Sequence, residues 1–369
     1  MPDKEHAKKQ LDELTSEYAK TKHNKATNKH LGILRAKIAR VKHELETSSR
    51  RSGTGYSIRK SGNATIVLVG FPNAGKSSLL RVLTGVDSKV ADYAFTTLDV
   101  IPGMLEYNGA KIQILDLPGL IQGAHVGRGG SMKIVSVIRV ADLMLFVIDI
   151  NAYHQLYQLI EEMELLNIRV NKKRPNLRLE KSFSGGMEIE GNNHRIPPKD
   201  VVAGVLNEFK IFNGKIIFYE DATEDMLIDF IAENCVYMRG AVALNKIDTA
   251  EEKKVIAVRN EIESKTHMRV IPISAKMTEN IGELKRHVFD GLGLIRVYLK
   301  PKDGSPDFDR PLVLDEGSDI VEVVRKINSK LIKDARFAYI SGPSAKFPNQ
   351  RVGVEHVVRD GDIVTVVFD

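Results

Sequence analysis

Apolar positions follow two different periods along this chain of 369 residues. Near the start, Leu11, Leu14 and Tyr18 share one helical face, and Leu31, Leu34, Ile38, Val41 and Leu45 recur by threes and fours, the spacing of a coiled-coil seam. The stretch between them, "TKHNKATNKH", offers turn and cap residues without an apolar anchor, so the pattern predicts an antiparallel helical hairpin. "SSRRSGTGYS" then breaks the period and reads as a linker. From Ala64 the pattern changes to continuous apolar runs, "TIVLVG", "KIQILDLPG", "LMLFVIDI", "AVALNKID" and "RVIPISA", most of them separated by helix-like segments. That alternation predicts an α/β fold with a parallel sheet covered on both faces. Ligands of such folds bind beyond the carboxyl ends of the strands. All but the third run end in a polar or Gly-rich loop, and those loops are expected to converge.

Two stretches depart from the alternation. From about residue 171 to 234 the chain is polar and irregular, then helix–strand–helix in pattern, which predicts a small α/β domain inserted before "NKID". After Gly293, "IRVYLKP", "RPLVLDEG", an amphipathic helix over Asp319 to Lys333, "FAYISG" and "DIVTVVFD" give the order β–β–α–β–β, which suggests a ubiquitin-like β-grasp domain. The expected organisation is a hairpin over 1–55, an α/β domain over 60–292 with 171–234 inserted, and the β-grasp domain over 293–369.

Composition narrows the class. At 43% hydrophobic the chain can bury a substantial core, yet no apolar run approaches the roughly 20 residues that cross a bilayer, so no membrane partner is expected. The opening "MPDKEHAKKQ" lacks an apolar signal core, and one cysteine, Cys235, excludes an internal disulfide framework and a cysteine-rich zinc site. The expected compartment is the cytoplasm. The net charge of +6 is uneven: residues 1–60 hold fifteen Lys/Arg and seven Asp/Glu, a net +8, and the remainder is close to neutral. A basic module on a neutral body points to a polyanionic partner, RNA first.

The loops carry the chemistry. "GFPNAGKS", Gly70 to Ser77, matches G-x-x-x-x-G-K-[ST] between a predicted strand and a predicted helix. In that motif Gly70 and Gly75 let backbone N–H groups wrap phosphates, Lys76 reaches the β- and γ-phosphates, and Ser77 ligates Mg²⁺. "NKID", Asn245 to Asp248, selects the base: the Asp248 carboxylate accepts from the N1–H and the 2-amino group of guanine, donors that adenine lacks. The stem of Lys246 can lie over the base, Asn245 can bridge to the phosphate loop, and "ISAK" (Ile273 to Lys276) can bring the Ala275 N–H to the guanine O6. "YAFTTLDVIPG" supplies Thr96 and Thr97, one of which completes the Mg²⁺ shell. Asp116 would hold Mg²⁺ through a water, and the Gly119 N–H would sense the γ-phosphate. Loss of that phosphate releases both loops, the order–disorder step of a nucleotide switch.

"GFPNAGKSSLL", "DYAFTTLDVIPG", "DLPGLIQGA", "NKID" and "SAK" together resemble the Obg-related GTPases, and the hairpin with "NKATNKHLGILRAKIA", the insertion and the C-terminal domain resemble its DRG (developmentally regulated GTP-binding protein) branch. The resemblance implies a G domain with an inserted α/β domain, a C-terminal TGS domain, slow GTP hydrolysis, and association with ribosomes or RNA. It implies a nucleotide site made of Gly70, Phe71, Pro72, Asn73, Ala74, Gly75, Lys76, Ser77, Ser78, Phe95, Thr96, Thr97, Asp116, Gly119, Asn245, Lys246, Asp248, Ser274, Ala275 and Lys276, with Thr97 the threonine on Mg²⁺. In "LDLPGLIQGAH" the residue after Gly119 is Leu120, where many GTPases carry the Gln that orients water. The resemblance implies a substitute, a K⁺ ion held in part by Asn73, so that Lys76, Thr97, Gly119 and Asn73 form the catalytic set. Gln122 and His125 are the nearest polar side chains to the missing Gln. Two rival readings are a regulatory scaffold whose GTP state recruits a protein, with no direct RNA role, and an ATPase on the same fold, against which Asp248 counts.

Overall fold

The computed structural model describes residues 2–21, 28–50, 61–85, 101–117, 135–191, 194–301 and 304–368. It divides into two compact units, Ser57–Glu162 with Met238–Asp369, and Met1–Tyr56 with Met163–Tyr237. Strands are numbered in chain order. They are β1 (Ala64–Val69), β2 (Ile101–Tyr107), β3 (Ala110–Asp116), β4 (Leu143–Asp149), β5 (Ile168–Val170), β6 (Leu177–Lys181), β7 (Met187–Glu190) and β8 (Gly214–Phe218). After these come β9 (Val236–Asn245), β10 (Arg269–Pro272), β11 (Leu294–Leu299), β12 (Leu312–Asp315), β13 (Ala335–Ser341), β14 (Gln350–Val352) and β15 (Asp362–Phe368).

The main sheet of the first unit runs β10-β9-β4-β1-β3-β2. β1 pairs in parallel with β3 and β4, β4 with β9, and β9 with β10. Every residue of β1 and all but the last of β4 are buried, which is why these strands read as unbroken apolar runs rather than alternating ones. The helix Lys76–Thr84 buries Leu79, Leu80 and Leu83 in the core shared with Ile66, Leu68 and Ile112. Removing an aliphatic side chain of that kind from water contributes about 1.5–3 kcal/mol. Gly85 ends the helix in the left-handed region (φ 70°), its N–H donating to the Arg81 carbonyl, the conformation in which a glycine carries no Cβ penalty.

β2 is an addition to the expected sheet, and it pairs antiparallel with β3. Pro102 and Gly103 obscure it as a strand in the sequence. Its signal is the turn Asn108–Gly109, both at positive φ (50° and 79°), as a two-residue hairpin of this hand requires.

The C-terminal part of this unit is a second sheet in the order β12-β11-β15-β13-β14. β11 and β15 are parallel, and the other pairs are antiparallel. The helix Ile320–Asn328 buries Ile320, Val323 and Val324 against one face, and its cap residue Asp319 accepts the Glu322 N–H at 2.9 Å. The expected β–β–α–β–β order gains one short strand, β14, whose three residues are too few to show a period.

In the other unit, helices Pro2–Lys20 and Asn28–Arg50 accompany a sheet ordered β6-β8-β7 and helices Lys199–Glu208 and Glu224–Ala232. Leu31, Leu34 and Val41 are buried, as the seam predicts, but so is Ala36 on a different face. That face is made of small residues that allow close approach. A Cβ on Gly32 would lie 2.8 Å from Glu224 Oε2, and one on Gly204 would lie 3.3 Å from Ile33 Cγ1. The outer faces are also less free in charge than expected. Arg35 donates to Glu224 at 2.7 Å and to Asp225, Lys37 lies 3.8 Å from Glu208, and Arg40 donates to the Glu208 carbonyl at 3.3 Å.

Candidate functional site

The loop between β1 and the helix Lys76–Thr84 is shaped by three backbone demands. A Cβ on Gly70 would sit 2.3 Å from the Val147 carbonyl oxygen of β4, so only glycine lets the loop leave the sheet there. Asn73 is left-handed (φ 64°), and the Ala74 N–H donates to the Phe71 carbonyl across the turn at 3.3 Å. Gly75 is left-handed at φ 96°, and a Cβ on it would lie 2.2 Å from Asn245 Nδ2. Among the described residues no side chain caps the helix at Gly75, which leaves its first N–H groups open to an anion. The Lys76 ammonium donates to the carbonyls of Gly70 (2.9 Å) and Phe71 (3.3 Å). Burial pulls its pKa below the ordinary value, with Asp116 opposing. Pro72 and Asn73 on this loop and Ser77 and Ser78 in the first turn of the helix are exposed, and Ala74 is buried.

Asp116 ends β3 and is 2% exposed. Its Oδ2 accepts from the Ser77 hydroxyl at 3.1 Å, whereas its Oδ1 is buried with no hydrogen-bond partner among the described residues. Burial raises the carboxyl pKa above the usual range, against the opposing effects of Lys76 and the Ser77 bond. A buried carboxylate oxygen without a partner costs about 1–3 kcal/mol or more, and a hard cation with its water would satisfy it. Ser77 Oγ and Asp116 are a hard oxygen donor set of the type Mg²⁺ takes, so the residues present fit that ion.

A second group of side chains gathers at the carboxyl ends of β9 and β10. Asn245 is 2% exposed. Its Nδ2 donates to the Ala74 carbonyl (2.8 Å) and its Oδ1 accepts the Ala275 N–H (3.0 Å), so one amide ties the phosphate loop to the loop after β10. Asp248 Oδ1 accepts from the buried Ser274 hydroxyl at 2.6 Å, and Ser274 in turn accepts the Met277 N–H at 3.1 Å. Two carboxylate oxygens offer about four acceptor sites, so one bond from Ser274 orients Asp248 and leaves capacity for a donor pair. Lys246 is left-handed (φ 64°) and its ammonium meets Asp149 Oδ2 at 2.8 Å, which fixes the direction of its aliphatic stem. Lys276 is exposed beside them.

Asp149 and Asn151 are absent from the sequence-based site. Asp149 ends β4 and Asn151 lies just beyond it, at the one run expected to end without chemistry. Burial works to raise the Asp149 carboxyl, but the bond from Lys246 and the Asn151 N–H outweigh it and hold its pKa below the ordinary value. Asn151 donates to the Thr249 hydroxyl (2.9 Å) and accepts from Lys254 (2.7 Å). The signal was the "VIDIN" polar pair at a strand end. Phe95, Thr96, Thr97, Gly119, Leu120, Gln122 and His125 lie outside the described residues.

A phosphate loop after the first strand of a mostly parallel sheet, an Asp at the end of the neighbouring β3 and an Asn-Lys-x-Asp loop after β9 define a P-loop GTPase. The MMR_HSR1 family model, described as a 50S ribosome-binding GTPase, matches residues 65–181, the model of that domain's C-terminal region matches 184–294, and the TGS domain model matches 295–368. The chain is 39% identical to developmentally-regulated GTP-binding protein 1 of Xenopus laevis, over 97% of this chain and 98% of that one. It is 38% identical to a GTP-binding protein of Methanocaldococcus jannaschii, over 97% and 92% of the two chains. The solved YchF GTPase of Schizosaccharomyces pombe superposes with a TM-score of 0.46 at 13% identity, over 84% of this chain and 99% of that one, a likeness of outline only. The chain belongs to the developmentally regulated GTP-binding protein family. Among the described residues no helix is long and apolar enough to cross a membrane.

Proposed function

We propose that the chain is a GTP-hydrolysing switch that acts on ribosomes. The observation that supports the guanine reading is Asp248, oriented by the Ser274 hydroxyl with acceptor capacity to spare, in a base loop that the Asn245 amide holds in register with the phosphate loop. A bound GTP would then lie with its phosphates on the Gly70–Ser77 loop and its base between the Lys246 stem, Asp248 and the Ala275 N–H. Lys76 and the N–H groups of the loop bind and orient the β- and γ-phosphates, which places the γ-phosphorus for in-line attack by water. Ser77 and Asp116 would hold Mg²⁺, with Thr97; bound there, the ion neutralises charge developing on the phosphate oxygens. The Gly119 N–H would sense the γ-phosphate, and Phe95 and Thr96 would flank the nucleotide.

For hydrolysis without a Gln after Gly119, the proposed substitute is K⁺ held in part by Asn73. Asn73 stands exposed at the tip of the turn; its left-handed backbone (φ 64°) is a reason of its own for Asn, and its exposed amide oxygen is open to a cation as well. A fixed positive charge there would act where charge develops, the place an arginine finger takes in other GTPases.

The ribosome reading draws on the family model's own description and on the +8 charge of residues 1–60. Several of those cations are engaged inside their own unit, so the contact surface is narrower than the whole hairpin; Lys9 and Lys20 are exposed on it. Co-sedimentation with ribosomes in GDP or a non-hydrolysable GTP analogue, across a salt series, tests the reading. Binding that depends on the analogue and falls steeply with salt is expected; equal pelleting in both nucleotides would contradict a switch.

A further inference from the structure

We infer that Asp149 and Asn151 at the end of β4 are positioning residues that set how long guanine nucleotide stays bound, by fixing Lys246 through both its side chain and its backbone. The inference rests on the guanine reading and concerns release, which that reading leaves open. Register places Asp149 beside Asn245, one residue before Lys246. A lysine there would ordinarily be free in two respects. Its four-carbon stem is flexible. Its left-handed backbone (φ 64°) is one that a residue with a Cβ keeps only where the surroundings impose it. Both freedoms are removed from β4.

The side chain is fixed first. The Lys246 ammonium donates to Asp149 Oδ2 at 2.8 Å, while Asp149 Oδ1 accepts the Asn151 N–H at 2.8 Å. That second bond caps the short turn Ile150–Ala152, whose Ile150 is fully buried, so the carboxylate is tied to the sheet instead of swinging with the lysine. The backbone is fixed by a separate chain of bonds. The Lys246 carbonyl accepts from the Thr249 N–H at 3.0 Å and from the Thr249 hydroxyl at 2.7 Å. The same hydroxyl accepts from Asn151 Nδ2 at 2.9 Å, and Asn151 Oδ1 accepts from Lys254, on the helix Glu252–Thr266, at 2.7 Å. A donor on one side and an acceptor on the other set which way the Asn151 amide faces.

Asp149, Asn151, Thr249 and Lys254 act without touching the nucleotide. They order the Lys246 stem before the base arrives, so binding does not have to order it. A change in such preorganisation shows mainly in the dissociation rate. The two arms differ in strength. The Asp149 side chain is 22% and the Lys246 side chain 36% exposed, whereas Asn151 and Thr249 are exposed residues at which water competes for each bond. The charged pair therefore carries the larger share.

The full chain is loaded with a fluorescent GDP in Mg²⁺ and chased with excess unlabelled GDP; association is followed separately by rapid mixing, and the dwell of a fluorescent ADP is measured alongside. Asp149→Asn keeps the size and a neutral acceptor but loses the charge, and should release GDP roughly threefold to thirtyfold faster, with little change in association. Asp149→Glu, which keeps the charge, should recover part of the dwell, and Asn151→Ala should quicken release by less than Asp149→Asn. Lys246→Met keeps an apolar stem without the ammonium. It should quicken release as Asp149→Asn does, and adding Asp149→Asn to it should quicken release no further. An Asp149 that merely braced the sheet would add its full effect in that background, and full additivity overturns the inference. Wild-type release by Asp149→Asn, in a chain that retains GDP longer than ADP, overturns the inference and leaves the guanine reading standing. A wild-type chain that holds GDP and ADP equally long contradicts both.

Discussion

Replacing Asn245 with alanine isolates the link between the two halves of the site. The substitution deletes a donor 2.8 Å from the Ala74 carbonyl and an acceptor 3.0 Å from the Ala275 N–H. Ala74 is 3% and Ala275 5% exposed, so neither backbone group has ready access to bulk water. Each buried group left without a partner costs about 1–3 kcal/mol, which sums to about 2–6 kcal/mol. Water entering the space left by the amide offsets part of it, so the expected loss is about 2–4 kcal/mol in urea unfolding. Guanine nucleotide affinity, measured by fluorescence with a labelled GDP, should fall at least tenfold, because the base loop and phosphate loop then find their register separately. Asn245→Asp should be no better, since it keeps the acceptor for Ala275 but sets a carboxylate against the Ala74 carbonyl. Gly75 adds a second check. A Cβ there would collide with Asn245 Nδ2 at 2.2 Å, so the cost of Gly75→Ala should shrink in the Asn245→Ala background, leaving only the strain of φ 96°. A loss below about 0.5 kcal/mol with unchanged nucleotide affinity would refute this reasoning.

Three other outcomes are expected, the last two from the proposed function. Asp116 carries a raised folded-state pKa because it is buried, so its ionised form costs stability above that pKa, and the cost is relieved as pH falls through it. Asp116→Asn should therefore melt no lower than wild type near neutral pH while Mg²⁺ no longer tightens nucleotide binding; calorimetry with and without Mg²⁺ reads both. GTP turnover should be faster in KCl than in NaCl, and Asn73→Ala should abolish the difference at a cost of about 10²–10³ in rate, while Leu120→Ala leaves it in place. The double change Lys9→Glu and Lys20→Glu should weaken ribosome pelleting and flatten its salt dependence, with nucleotide affinity unchanged by titration.

Much of this was readable because the chemistry sits in contiguous motifs. Residues 70–77 and 245–248 carry their own strand and loop context, and both sites lie at the strand ends where the apolar runs put them. What was missed depends on contacts between distant segments or on small residues. Asp149 is one polar residue at the end of an apolar strand, and only the folded sheet brings it to Lys246. β2 hides behind Pro102 and Gly103, which argue against a strand unless the Asn108–Gly109 turn is weighed first. The packing of Gly32 and Ala36 leaves no hydrophobic pattern, so a helix read as one basic outer face is buried on two sides.

The central claim is that this site reads guanine through Asp248, oriented by Ser274. Competition binding with GTP, ATP and xanthosine triphosphate tests it on the wild type and on Asp248→Asn. The wild type should prefer GTP over ATP by a wide margin, because adenine would leave the carboxylate unpaired. Asp248→Asn should lose GTP sharply, since its amide NH₂ faces a donor, and should shift toward the xanthine nucleotide, whose C2 oxygen accepts from that amide. Equal affinity of the wild-type chain for ATP and GTP would contradict the account.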